Sequence, residues 1–299
     1  MTVSLKGIFA PVITTFKEDG ELDRAGFEHN IRAHVQAGVR GVVVAGSTGE
    51  APLLDERERE SICEWARQHV PNDRMLLAGV GAESTRTTLK LAEGAAERGI
   101  DAVLVVAPHY FGSAMTQDAL RAHYLRVADD SPVPVMLYNI PKYMHFKLSQ
   151  PLVQELARHE NVIGIKDSSG ERELLETYLT AQSSDFTVFT GSGQLWGTAL
   201  QMGARGGILA VSLFAPALTT AVWEAVARKD GVSAETLQSR LTPLARIIVG
   251  ELGVAGVKGA MDCVGLRGGS PRSPLLPLAR ADWDRIRQLL RDAELPVAA

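Results

Sequence analysis

Cysteine is almost missing from this chain of 299 residues: Cys63 and Cys263 are the only two, far apart and without Cys-x-x-Cys spacing. Their rarity excludes a disulfide framework and a thiolate zinc site, and it fits a reducing compartment, the cytoplasm. Long uncharged apolar runs are lacking too. No stretch of about 18 such residues occurs, and the opening residues 1–7 carry no apolar signal core, so a soluble, unexported protein is expected. Neither sign of charge dominates: 31 basic and 35 acidic residues, a net −4 spread without blocks, offer no footprint for nucleic acid or an anionic membrane. Clustered histidine is absent as well. The 7 histidines are scattered, and His29 and His34, at i, i+5, do not share a helix face as i, i+4 ligands would. No metal and no cofactor is therefore expected. Nor does a glycine-rich phosphate loop follow the first apolar strand, where Thr14-Thr15-Phe16-Lys17-Glu18 stands instead, which argues against an open dinucleotide-binding sheet. The partner left by these exclusions is a small neutral or anionic metabolite.

What the chain does have is a rhythm. With 45% hydrophobic residues it can bury one large core. Short apolar runs rich in Val and Ile alternate with longer amphipathic segments, the pattern of repeated βα units around a parallel sheet. Eight runs are read as strands, at 7–13, 41–45, 75–78, 102–106, 133–138, 162–166, 187–190 and 207–211. Helix starts are marked by the capping-box spacings Asp55/Glu58 and Ser168/Glu171, and by Ser149 two residues before Pro151. Ile62, Trp65, Ala66 and His69 fall near one helix face, as packing on a sheet requires. Eight units closing on themselves predict a (β/α)₈ TIM barrel over residues 1–230. A helical extension over 231–299 follows, with helices near 235–251, 254–263 and 281–290.

In such a barrel the loops after the strand ends share one face, so residues far apart in sequence become neighbours. Lys166 ends an apolar run in Gly164-Ile165-Lys166-Asp167-Ser168-Ser169-Gly170. An amine at a strand end inside a packed barrel loses water, which favours the neutral form that attacks a ketone carbon; the plain alternative is a surface lysine at a junction. Tyr138 ends the run 133–137, where its phenol either exchanges a proton beside Lys166 or bonds to backbone as a core tyrosine. Gly46-Ser47-Thr48-Gly49-Glu50 forms a tight turn whose backbone N–H groups and hydroxyls suit a carboxylate, or a turn with no ligand at all. Glu50 is read as a helix-start charge. Gly191-Ser192-Gly193 follows strand seven.

Together, the turn 46–50, the segment Tyr138-Asn139-Ile140-Pro141 and the segment 164–170 resemble the dihydrodipicolinate synthase and N-acetylneuraminate lyase superfamily, over about residues 7–278. The resemblance implies a class I aldolase or lyase in which Lys166 forms a Schiff base with pyruvate or a related 2-oxo acid. It implies that Ser47 and Thr48 hold the carboxylate, that Gly191 and Ile208 complete the substrate site, and that Tyr138 transfers protons. Tyr110, in Pro108-His109-Tyr110-Phe111, matches a position that crosses a dimer interface and joins a relay with the threonine and tyrosine. A homotetramer, built as a dimer of dimers, is implied as well.

Departures narrow the second substrate, an aldehyde. Dihydrodipicolinate synthases carry an arginine two residues after the proline of the Tyr-Asn-x-Pro motif; Tyr143 stands there, preceded by Lys142, and neither supplies a bidentate fork. Gly193 and Gln194 replace the acidic residues of sialic-acid lyases. Segments 76–79, 83–85, 127–135 and 257–275 are similar to 4-hydroxy-2-oxoglutarate aldolases, although Thr48 replaces an asparagine and Met144-His145 a Thr-Gly pair. His145 either bonds a substrate oxygen or caps a helix turn. The leading expectation is a 4-hydroxy-2-oxoglutarate aldolase-like enzyme. The alternatives are dihydrodipicolinate synthase, a 2-keto-3-deoxy sugar acid aldolase or dehydratase, and a catalytically idle 2-oxo acid binding protein.

Overall fold

In the computed structural model, which describes residues 5–298, eight parallel strands close into a barrel in the order β1 to β8, with β8 hydrogen-bonded back to β1. The strands are β1 (Gly7–Pro11), β2 (Gly41–Val44), β3 (Met75–Gly79), β4 (Ala102–Val106), β5 (Val135–Asn139), β6 (Val162–Asp167), β7 (Thr187–Thr190) and β8 (Gly206–Ile208). The outer helices of the barrel are α1 (Arg24–Gln36), α2 (Glu56–His69), α3 (Thr85–Glu97), α4 (Gln117–Asp130), the short α5 (Pro141–Met144), α6 (Gln150–Leu156), α7 (Arg172–Leu179), α8 (Trp196–Gln201) and α9 (Pro216–Ala227). The TIM barrel expected from the βα rhythm is the fold.

The interior is filled by side chains. Phe9 and Phe189 meet edge to face with ring centroids 5.1 Å apart. A β-carbon on Gly206 would collide with Gly7 O of β1 and stand 2.9 Å from the Phe189 ring, so β8 opens on a residue that leaves both their space. Boundaries depart from the apolar runs for local reasons. β5 begins at Val135 because Pro134 has no N–H to give the ladder. β8 stops at Ile208, after which the chain turns through a 3₁₀ segment, Ala210–Leu213.

Two of the three expected helix starts form. Asp55 and Glu58 make a reciprocal capping box on α2, and Ser149 Oγ accepts from Leu152 N at α6. The Ser168/Glu171 box does not form. β6 runs on to Asp167, whose carboxylate accepts from Ser169 N and Oγ, and α7 starts only after Glu171.

Beyond the barrel come α10 (Gly231–Pro243), a π-helical segment (Leu244–Glu251), α11 (Gly253–Cys263) and α12 (Arg280–Asp292). Pro243 cannot donate to the i−4 carbonyl, and the change to π geometry begins at the next residue. Leu244, Ile248, Val257 and Met261 lie in the same buried cluster as Val211 and Leu213 of the barrel. The extension thus leans on the barrel's C-terminal face, where the loops after the strands converge.

Candidate active site

Parallel pairing puts Tyr138 of β5 directly beside Lys166 of β6. Because side chains alternate along a strand, these two share one face while their neighbours Asn139 and Asp167, also paired in register, share the other. The second pair is a support. Asn139 Nδ2 donates to Asp167 Oδ1 (2.8 Å), and Leu148 N donates to Asn139 Oδ1 (3.1 Å). Burial pushes the Asp167 carboxyl above the ordinary range, against the pull of the hydrogen bonds from Asn139 and Ser169.

The first pair faces a cavity of about 320 Å³ at the barrel mouth, lined among others by Ser47, Thr48, Tyr138, Lys166, Gly191 and Ile208. Six sequence-predicted residues thus meet in one place. Lys166 is 6% exposed and Tyr138 4%. Lys166 Nζ stands 4.1 Å from the centroid of the Tyr138 ring, and Ser47 Oγ is 3.5 Å from the Tyr138 hydroxyl. Gly191 approaches closely: a β-carbon there would stand 2.9 Å from Lys166 Cε and collide with Ser168 Oγ. An amine, a phenol and two hydroxyls around one void suit addition to a carbonyl carbon, with proton donors nearby and hydroxyls for a carboxylate.

Tyr110 is not part of this group within one chain. It is 78% exposed after β4, packed edge to face on Phe111, while its backbone N–H donates to Glu83. His145 takes the capping role: it is the C-cap of α5 with φ 62°, and its N–H donates to Pro141 O. Tyr143 and Lys142 stand on the cavity wall. Burial raises the Tyr143 phenol, and Lys142 Nζ donates to Gly250 O (2.9 Å).

Glu50 fits the expected place but not the expected bonding. It does stand at a helix start, before the 3₁₀ turn Ala51–Leu53, but its carboxylate makes no cap bond there: the side chain is fully buried and paired with the equally buried Lys258 of α11 at 2.6 Å. The available signal was Lys258 itself, a lone cation in the otherwise apolar run 253–261. The far wall of the cavity, built by Ala245, Val249 and Val257, also escaped the sequence reading, since a buried apolar helix does not announce what it covers. Among the described residues, no three His, Cys, Asp or Glu side chains converge as a metal site, and no helix is long and apolar enough to cross a membrane.

Comparison with known proteins agrees with this geometry. A model of the dihydrodipicolinate synthetase family matches residues 4–293. The 4-hydroxy-tetrahydrodipicolinate synthase of Exiguobacterium sibiricum is 32% identical over 286 residues, covering 96% of this chain and 97% of its own. That of Methanothrix thermoacetophila is 32% identical over 287 residues, covering 95% and 96%. Among solved structures, a dihydrodipicolinate synthase of Bacillus anthracis superposes with a TM-score of 0.93 at 28% identity, over 97% of this chain and 99% of that one. The chloride-inhibited dihydrodipicolinate synthase of Acinetobacter baumannii, complexed with pyruvate, gives 0.92 at 29%, over 98% and 100%. With the family model and the 32% identical relatives all spanning nearly the whole chain, the protein belongs to the dihydrodipicolinate synthetase family and is a lyase-type enzyme of the lysine Schiff-base class.

Proposed function

We propose that Lys166 is the Schiff-base lysine and that its substrate is pyruvate. The neutral amine adds to the C2 carbonyl, and the carbinolamine loses water to give a protonated imine. Loss of a methyl proton yields an enamine, which adds to an aldehyde; hydrolysis then frees Lys166. Tyr138 moves the protons, with Thr48 as its partner in the relay, and Ser47, Thr48, Gly191 and Ile208 hold the keto acid. The observation that carries this reading is the buried Lys166–Tyr138 pair facing a cavity that also holds the Ser47–Thr48 turn.

For the aldehyde, the synthase reading now stands ahead of the 4-hydroxy-2-oxoglutarate aldolase reading, because the 32% identical relatives are named 4-hydroxy-tetrahydrodipicolinate synthases. We therefore take aspartate semialdehyde as the first acceptor to test. The aldolase reading keeps one observation in its favour: Tyr143 lines the cavity where the synthases of the resemblance carry arginine, and no arginine is among the lining residues.

Incubation with pyruvate and borohydride in the presence of a chelator should fix a reduced adduct on Lys166, located by mass. Equal labelling of a Lys166→Ala variant would reject the assignment. Pyruvate consumption with aspartate semialdehyde against glyoxylate then separates the two acceptors. The exposed Tyr110–Phe111 pair supports contact with a second copy, and a homotetramer is the proposed assembly. Sedimentation reads the assembly directly. If Tyr110 serves a neighbour's site through Thr48, mixing Tyr110→Phe with Lys166→Ala protein restores part of the activity; failure despite confirmed subunit exchange counts against it. The two buried, unpaired cysteines favour a reducing compartment, the cytoplasm.

A further inference from the structure

The turn that offers Ser47 and Thr48 to the cavity is bracketed by two non-glycine residues in the left-handed region, Ala45 (φ 49°) and Glu50 (φ 59°). Side chains other than glycine occupy that region only when the surroundings hold them there. The turn's own bonds are few and local: Gly49 N donates to Gly46 O (3.0 Å) and Glu50 N to Ser47 O (3.2 Å). From outside, Thr14 Oγ1 donates to Gly49 O (2.6 Å).

The strongest hold is the Glu50 carboxylate. One oxygen pairs with Lys258 Nζ at 2.6 Å, and the other accepts the backbone N–H of Arg272 at 2.7 Å. Lys258 is oriented in turn, donating to Ser270 O (2.9 Å) and lying over the Phe16 ring, 4.6 Å from its centroid. Both of Glu50's partners come from the extension beyond the barrel. The residue before Lys258, Val257, lines the same cavity as the turn. One helix therefore both walls the void and grips the turn.

A fully buried ion pair is a costly way to gain stability, since well-packed apolar residues of the same volume often do as well. A role in placing something else accounts better for its presence two residues from Thr48. We propose that the Glu50–Lys258 pair positions the Ser47–Thr48 turn for the carboxylate of the keto substrate. Both are positioning residues, and their loss is felt in proportion to the substrate's negative charge. This rests on the reading that the turn holds that carboxylate.

The test compares pyruvate with hydroxyacetone, a keto compound of similar size without the carboxylate, by the concentration that half-saturates borohydride trapping at Lys166. In Glu50→Gln protein the half-saturating pyruvate concentration should rise at least about tenfold, the scale of a lost charge-assisted hydrogen bond. The hydroxyacetone value should stay within about twofold, since an uncharged ketone draws nothing from that bond. The double variant Glu50→Gln with Lys258→Met leaves no unpaired charge inside and keeps the volume, so it is read alongside in case the single variant does not fold; the same selective loss is expected. An equal change for both ketones, or no change for pyruvate, would overturn the proposal. Wild-type protein that traps no pyruvate at Lys166 sinks the Schiff-base reading instead, and wild-type protein that traps both ketones with equal avidity sinks the carboxylate site.

Discussion

The amine of Lys166 lies over the face of the Tyr138 ring, 4.1 Å from its centroid, while the phenol oxygen reaches past it toward Ser47 Oγ at 3.5 Å. The ring packs against the amine, and the hydroxyl is left to serve a molecule held between the turn and the amine. Tyr138→Phe separates these jobs. It keeps the ring, so the fold should lose no more than about 1 kcal/mol. Imine formation and turnover should both slow by at least about tenfold, as loss of a general acid-base group does. Rapid-quench borohydride trapping checks this; unchanged kinetics would remove the tyrosine from the proton path.

Gly191 gives a test of how tightly the amine is placed. Its N–H donates to Asp167 O at 2.6 Å, which draws the chain after β7 in against Lys166. A methyl group there has no room beside Lys166 Cε and Ser168 Oγ. Gly191→Ala should displace the lysine from the Tyr138 ring and lower the trapping rate at least about tenfold, because small misplacements of a reacting group are expensive. Gly193→Ala, two residues on, meets Ala245 and Val211 instead and should affect trapping less.

Legibility in the sequence followed the range of the interaction. β4 and β7 have the bounds read from the sequence, where the polar Asp101 precedes the first and Gly191 follows the second. Lys166 and Tyr138 could be singled out since each is a polar residue ending such a run, and closure of the barrel then makes them neighbours without further information. Ser168 misled: its spacing to Glu171 suits a capping box, yet Asp167, one residue earlier, captured Ser169 and moved the helix start. The pairing of Glu50 with Lys258 was beyond reach for a different reason, although Lys258 stands out in its apolar run. Their bond joins a loop of the barrel to a helix of the extension, and no local window contains both ends.

Lys142 bears on the choice of aldehyde. Its ammonium group reaches Gly250 O of the π-helical segment and lies 5.7 Å from the Tyr143 ring centroid, on the wall of the cavity. It is a cation placed to meet a second carboxylate, as a point charge in place of a guanidinium fork. Lys142→Met should raise KM for an acidic aldehyde at least about tenfold, with little change in the half-saturating pyruvate concentration. An equal rise for both substrates would show that Lys142 only braces Gly250.

Acid stability should be governed by two histidines far from the mouth. His34 on α1 and His123 on α4 are both buried, and desolvation lowers each imidazole from 6.5 to about 4. A group whose folded pKa is depressed binds fewer protons in the native than in the unfolded chain, so its contribution is complete above pH 6.5 and is lost as the pH falls toward 4. By pH 5 each should have given up about 2 kcal/mol. Asp167 works in the opposite sense, because burial raises its carboxyl and stability from that group declines as the pH rises through its ordinary range. The comparison is therefore made between variants at two pH values. His34→Leu should melt within a few degrees of wild type at pH 7 and above it at pH 5, since the leucine has no proton to take up. His123→Leu forfeits the 2.9 Å contact of Nδ1 with Thr85 Oγ1 and should start lower at pH 7, yet show the same flattening. Parallel curves for wild type and both variants between pH 7 and 5 would place the acid-labile groups elsewhere.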